Sequence, residues 1–166
     1  SNLSTFRINT GKNLPDYIQE YSIDGVKVSF GTFMKGSKSR RDYLQNAERL
    51  DSATPFSILA LHPLFQSKAM VIMDRVRSRD LFDLMVLMSD YDYTVEDIVF
   101  TLQEYDERTE SEIESAIEVL TGNVKVDKDD PGFNSINLSI TLEEVYKQLT
   151  SYVDDYEQKK SLQFRL

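Results

Sequence analysis

The stretch that decides the fold is residues 64–88, LFQSKAMVIMDRVRSRDLFDLMVLM. Apolar residues recur in it at intervals of three and four, first in a run that contains Phe65 and Ile72 and then in a run that contains Leu81 and Leu84. That spacing places the apolar side chains on one face of a helix. We therefore predict two consecutive helices that pack against a common core.

Charged residues interrupt this apolar pattern. Lys68 lies in the first predicted helix, Asp80 and Asp83 open the second, and an arginine cluster separates them: Arg75, Arg77 and Arg79. A charge beside a packed face is costly to desolvate, so the lysine and the carboxylates are expected to pair across the two helices. Such a cluster would be able to contact an anionic ligand. The alternative is a structural ion network that fixes the angle between the helices, and Asp80 alone is explained by the helix dipole.

Capping signals mark the other helices. Thr109 is followed three residues later by Glu112, which is the capping-box pattern, and Thr141 with Glu144 repeats it. Five helices joined by short connections predict a helical bundle. They are expected to run from His62-Pro63 to about Arg75, from Arg79 to Ser89 with Ser78 as the cap, from Thr94 onward, from Thr109 to Gly122, and from Thr141 to about Gln158.

The first 60 residues are predicted to contain short strands instead. Asp24-Gly25 is a strong turn dipeptide, and the alternating residues after it predict a β-hairpin over residues 20–33. A basic loop is predicted at Lys35–Arg41, a short helix at Asp42–Leu50 and a short strand at Phe56–Ala60. The chain is therefore assigned to the α+β class, with a small sheet in a domain of residues 1–60 and a helical domain of residues 61–166.

The composition narrows the class of protein. The chain has 166 residues, a formal net charge of −9 and no cysteine. The charge argues against general electrostatic binding of nucleic acid, and the lack of cysteine excludes disulfides and thiolate metal sites. The lack of cysteine also fits a reducing cytoplasm, so we expect a cytoplasmic protein. No apolar run is long enough for a membrane span, and no membrane partner is expected. The opening Ser1-Asn2 resembles a scar of tag removal, and we expect the natural chain to extend upstream.

Other charged residues have simpler explanations. His62, the only histidine, is expected to cap its helix or to lie at the surface. The acidic run Glu104–Glu118 lacks the residue order of a calcium loop and is expected to be a solvated helix face. The basic residues at 35–41 would more often make no specific contact than bind a phosphate backbone. No metal ligands are predicted in this chain.

The order of these features resembles the AbiEii/AbiGii family of abortive-infection nucleotidyltransferases, which are toxins of bacterial toxin–antitoxin and phage-defence systems. The resemblance covers roughly residues 21–88, where strands reading DGVKVSF and ILAL precede the lysine helix and the RDLFD segment. The family's K…R…RDxxD signature maps onto Lys68, Arg79, Asp80 and Asp83. In such a protein the small sheet would be the end of a nucleotidyltransferase-type sheet.

This resemblance implies a site and its ligands. Lys68, Asp80 and Asp83 would be catalytic residues, and Lys68 together with Arg79 would bind the nucleotide. The intact family enzyme uses an NTP and Mg²⁺, and the first 60 residues here lack the Asp-x-Asp pair that holds the metal. We therefore expect no cofactor in this chain and no transfer activity by it alone.

The resemblance also suggests partners. A cognate antitoxin protein and, for the intact enzyme, an RNA acceptor are the partners that fit it, while the oligomeric state is left open. The alternative function is a non-catalytic helical interaction module, or a degenerate toxin, that binds a partner protein through its acidic surface.

Overall fold

The computed structural model of the protein describes residues 3–7, 18–23, 26–31, 38–51, 58–130, 132–133 and 139–163. The chain divides into two compact units, residues 1–45 and residues 46–166. Its described part is mostly helical with small antiparallel sheets, which confirms the α+β class with a helical bundle. The domain boundary predicted at residue 60 stays a prediction.

Residues 1–45 contain a three-stranded antiparallel sheet. Its strands are β1 (Leu3–Arg7), β2 (Ile18–Ile23) and β3 (Val26–Gly31), in the order β1-β2-β3. Ile23 pairs with Val26 at the end of the β2–β3 ladder, which confirms the predicted hairpin. The Asp24-Gly25 turn itself lies outside the described residues. β1 supplies the third strand that an isolated hairpin needs for stability.

The helix α1 (Lys38–Asn46) corrects two predictions. Lys38–Arg41 were assigned to a basic loop and a helix was expected over Asp42–Leu50, whereas the helix already begins at Lys38 and ends at Asn46. Lys and Arg are good helix formers, so a run of basic residues does not by itself indicate a loop. Residues 32–37 lie outside the described part.

A short antiparallel pair follows α1. Its strands are β4 (Arg49–Leu50) and β5 (Ile58–Leu59), with Leu50 paired to Ile58. β5 lies within the strand predicted at Phe56–Ala60, of which residues 56 and 57 lie outside the described part.

Five helices form the bundle of the second unit. α2 packs against α3 and α4, and α6 packs against α3, α4 and α5. Every helix contributes fully buried side chains to one core, and on the long last helix Val145, Leu149 and Val153 recur at every fourth residue. The five are α2 (Leu61–Val71), α3 (Ser78–Tyr91), α4 (Val95–Asp106), α5 (Glu110–Leu120) and α6 (Leu142–Gln163).

The two predicted capping boxes are confirmed, and a third that was not predicted begins α4. Thr94 caps α4 through a box closed by Asp97. The Thr109–Glu112 box at α5 and the hydrogen bonds between Thr141 and Glu144 before α6 are also present. Gly122, with a φ of +78°, follows the end of α5. That left-handed conformation is the one in which glycine commonly ends a helix.

The helix α2 departs from the prediction at both ends. It begins at Leu61 after the N-cap Ala60, so Pro63 is its third residue rather than its first. It ends at Val71, and hydrogen bonds from Asp74 and Arg75 back to the Val71 carbonyl turn the chain towards α3. This early turn lets two short helices pack against each other.

The start of α3 is corrected as well. Ser78 was predicted as the N-cap, but it is the first helical residue and Arg77 holds the cap position without a side-chain capping bond. The Ser78 amide donates instead to the Asp130 carboxylate, 3.3 Å away. The acceptor that an N-terminal amide requires is therefore supplied by the segment after α5. None of the helices in the described part of the chain has the length and hydrophobicity to cross a membrane.

Candidate functional site

Lys68 lies between the two carboxylates that the sequence singles out. Its Nζ is 3.0 Å from Oδ1 of Asp80 and 2.6 Å from Oδ2 of Asp83. Lys68 is in the last turns of α2, and the two aspartates lie on one face of the first turns of α3. The packing of α2 against α3 therefore produces the pairing that the sequence predicted.

Asp80 is the buried centre of this cluster. The residue is 3% exposed, and besides Lys68 it accepts a hydrogen bond from Nε of Arg75 at 2.9 Å. Burial favours protonation of the carboxyl, but the hydrogen bond from Arg75 and the charge of Lys68 outweigh it, so the pKa of Asp80 is lowered. The first-turn position adds a favourable interaction with the helix dipole. Asp80 is therefore held as an anion.

The ammonium of Lys68 is correspondingly held in its charged form. Burial would lower its pKa, but the hydrogen bond and charge of Asp83, with those of Asp80, raise the pKa overall. An ammonium has three N–H donors, and the two carboxylates account for two of them. The side chain is 26% exposed, so solvent reaches part of it.

An acidic segment lies against the arginines at the start of α3. Nη2 of Arg77 is 2.7 Å from Oδ2 of Asp129, and its Nε is 3.4 Å from Oδ2 of Asp127. Arg79, by contrast, makes only a 3.4 Å hydrogen bond to the carbonyl of Gly132. Within the part of the chain that the structure describes, Arg79 therefore has no carboxylate partner.

These groups line one open cleft of about 320 Å³, which we call the lysine cleft. Its walls bring together all four predicted site residues, since Lys68, Arg79, Asp80 and Asp83 are among them. Three residues that line the cleft were not predicted as site residues: Arg75, Arg77 and Asp130. Arg75 was visible as part of the arginine cluster, but nothing local indicates that it binds Asp80. The lining residues are Lys68, Arg75, Arg77, Arg79, Asp80, Asp83 and Asp130.

His62 lies outside this cleft. It is exposed near the start of α2, and its ring stacks on that of Tyr93 with centroids 5.7 Å apart. The surface position is confirmed, whereas the cap position belongs to Ala60 because the helix begins one residue before the histidine.

The acidic run Glu104–Glu118 is a solvated face with one exception. Asp106 is only 3% exposed and lies 2.7 Å from Nε of Arg108, which also contacts Glu112 at 2.9 Å. The expectation that the whole run is solvated is thus wrong at Asp106, because a nearby arginine compensates its burial. Across the described residues, no three His, Asp or Glu side chains are grouped to hold a metal ion.

No family model matches the chain, and neither a curated protein nor a solved structure matches it.

Proposed function

We propose that the lysine cleft binds the phosphates of a nucleotide, with Lys68 and Arg79 as the contacting cations. The observation that carries this proposal is the pair of half-buried cationic groups, Lys68 and Arg79, that line one cleft beside a buried carboxylate, which holds the lysine in place. Among the described residues, the two carboxylates account for two of the three N–H donors of Lys68, and Arg79 makes one long contact to a carbonyl. Charge-assisted hydrogen bonds from such groups are the usual means of binding phosphate oxygens.

The two aspartates have different parts in this proposal. Asp80 is buried and fixes both Lys68 and Arg75, whereas Asp83 has a side chain that is 41% exposed at the rim of the cleft. Both carboxylates therefore position Lys68. Neither one contacts Arg79 in the described structure, so the geometry favours orientation of the lysine over orientation of the arginine.

In the wider proposal, the chain is part of a nucleotidyltransferase-like protein of the abortive-infection toxin family. The support is the resemblance of residues 21–88 and the assembly of Lys68, Arg79, Asp80 and Asp83 in one cleft. In the family enzyme, Mg²⁺ would neutralise charge on the transferring nucleotide. Because the first 60 residues lack an Asp-x-Asp pair, we propose that this chain binds a nucleotide but does not transfer it.

The test is isothermal titration calorimetry, in which each of the four NTPs is titrated into the 166-residue protein in the presence of Mg²⁺. Lys68→Ala should weaken binding roughly 10- to 100-fold, since a hydrogen bond to a charged group contributes about 1.5–3 kcal/mol. Arg79→Ala should weaken it by a similar factor. Lys147→Ala is the matched control, because Lys147 is an exposed lysine on α6 outside the cleft.

Thermal unfolding of the same variants separates binding from structure. Lys68→Ala leaves Asp80 paired with Arg75, so the fold should be retained while binding is lost. A variant that loses folding and binding together would favour the structural ion network instead. A wild-type protein that binds none of the four nucleotides would contradict the proposed function.

A second proposed function is that of a module that binds a partner protein, such as an antitoxin. It is favoured by the exposed carboxylates of α5, where Glu110, Glu114 and Glu118 all face solvent. An acidic surface of this kind accelerates association with a basic partner. If the protein binds a basic partner protein and Lys68→Ala leaves that binding unchanged, the result would support this function over nucleotide binding.

A further inference from the structure

A second cleft lies on the bundle at a different place from the lysine cleft and shares no lining residue with it. It has a volume of about 220 Å³ and runs between the α3–α4 turn and the middle of α6. We call it the tyrosine cleft. Besides Met88, Thr94, Val95 and Lys159, its lining consists of aromatic and acidic side chains. They are Tyr93, Tyr152 and Tyr156 with Asp92, Glu96 and Asp155.

The charges of the tyrosine cleft are unbalanced. Three carboxylates line it, and Lys159 is the single cationic residue in its lining. Nζ of Lys159 is 4.0 Å from Oε1 of Glu96, and the two side chains are 64% and 45% exposed. An exposed pair at that distance contributes little to stability, so Lys159 is readily displaced. The helix dipole explains a carboxylate at Glu96, but it does not explain Asp155 in the middle of α6.

The aromatic rings are held in place by the fold. Tyr93 stacks on the buried Phe65 with ring centroids 4.0 Å apart and planes 6° from parallel. The hydroxyl of Tyr152 accepts a hydrogen bond from Gln148 at 2.9 Å. The Tyr156 ring already has a cation near it, because Nζ of Lys160 is 5.8 Å from the ring centroid. Tyrosine faces attract cations at such distances.

We propose that the tyrosine cleft binds an arginine side chain of a partner polypeptide. Carboxylates beside aromatic rings match a guanidinium, which is planar, weakly hydrated and able to stack on rings. The volume of about 220 Å³ is below the roughly 300–1,000 Å³ of small-molecule pockets and suits one inserted side chain. The carboxylates repel nucleic acid, and the net charge of −9 favours approach of a basic segment.

This inference goes beyond the proposed nucleotide site. Lys159 serves in it as an internal competitor, since its ammonium occupies the rim that the guanidinium would approach. Removal of that ammonium by Lys159→Met should strengthen binding of an arginine probe about two- to fivefold, the range expected for one partly exposed charge.

The test uses a blocked tripeptide, acetyl-Gly-Arg-Gly-amide, titrated into the full 166-residue protein. Binding is followed by NMR of ¹³C-labelled tyrosine rings, with the citrulline analogue as the uncharged control peptide. We expect shifts of the Tyr93, Tyr152 and Tyr156 rings with the arginine peptide and at least several-fold weaker binding of the citrulline peptide.

The matched variants are Asp155→Asn and Asp154→Asn. Both remove one charge from exposed neighbouring positions of α6, but only Asp155 lines the cleft. Asp155→Asn should weaken binding about two- to fivefold, and Asp154→Asn should leave it nearly unchanged. Equal binding of the two peptides or equal effects of the two variants would overturn the proposal.

Discussion

Replacement of Asp80 by asparagine tests the central ion cluster most directly. The change keeps the shape of the side chain but removes the charge that Lys68 and Arg75 share at 3.0 and 2.9 Å. Asparagine can accept from one of these donors, and its own amide group then faces the other. The bundle should remain folded, with α3 less firmly joined to α2.

The magnitude follows from burial. Hydrogen bonds to charged groups contribute about 1.5–3 kcal/mol each, and the helix dipole adds roughly 0.3–1 kcal/mol. Asp80 is 3% exposed, but the Arg75 side chain is 53% exposed and regains water when it is released. Because solvation of the released Arg75 offsets part of the lost interaction, we expect a loss of about 2–3 kcal/mol in the free energy of unfolding. For a protein of this size that loss lowers Tm by roughly 5–10 °C.

Urea unfolding followed by circular dichroism at 222 nm measures this loss, because the five bundle helices dominate the signal. Asp83→Asn is the control: its side chain is 41% exposed, so it should lose only about 0–1 kcal/mol. The reasoning is refuted if Asp80→Asn lies within about 0.5 kcal/mol of wild type, or if it loses no more than Asp83→Asn.

The difference in unfolding free energy between wild type and Asp80→Asn should also depend on pH, which provides an independent check. The pKa of Asp80 is lower in the folded protein than its ordinary value. The stabilisation is therefore fully present above the unfolded pKa and is lost as the pH falls through the folded pKa. The difference between wild type and Asp80→Asn should accordingly be constant near neutral pH and narrow in acid. A difference that widens on acidification would contradict this assignment.

Two further predictions concern the helix ends. Gly122→Ala should cost more stability than Gly132→Ala in urea unfolding. Both glycines have a positive φ, but a Cβ at 122 would lie 3.2 Å from an aromatic ring of α6, whereas one at 132 meets nothing within 4 Å. Hydrogen bonds from the Thr109 backbone and then from Arg108 lower the pKa of Glu112 to about 2. The contribution of the Glu112 carboxylate to the free energy of unfolding is therefore lost as the pH falls from the ordinary pKa of a glutamate towards 2. Glu112→Gln should make the free energy of unfolding depend less on pH in that range.

The sequence by itself determined the helical pattern and where the last three helices begin. The Thr109–Glu112 and Thr141–Glu144 boxes were predictable because both partners lie within four residues of each other. The pairing of Lys68 with Asp80 and Asp83 was also predictable, since two consecutive antiparallel helices have few ways to neutralise buried charges. In each case the interacting residues are close in sequence, or they lie on two helices that are joined by a single turn.

Tertiary structure alone decided the remaining contacts of the lysine cleft. Ser78 looked like a helix cap because its residue type is the usual one, but its amide is bound by Asp130, which is 52 residues away along the chain. No local pattern encodes an acceptor at that separation. The choice of Arg75 rather than Arg79 as the partner of Asp80 depends on how the turn after α2 directs each side chain.

The tyrosine cleft, too, could not be predicted from the sequence and is formed by the tertiary structure. In the sequence, Asp92 and Tyr93 lie between two predicted helices, and Asp155 lies far away in the last one. Only the packing of α6 against α3 and α4 brings them to one cleft. Local periodicity fixes which face of each helix is buried, whereas the relative position of the helices depends on the complementary shapes of all the core side chains together. That collective property is what the tertiary structure decided.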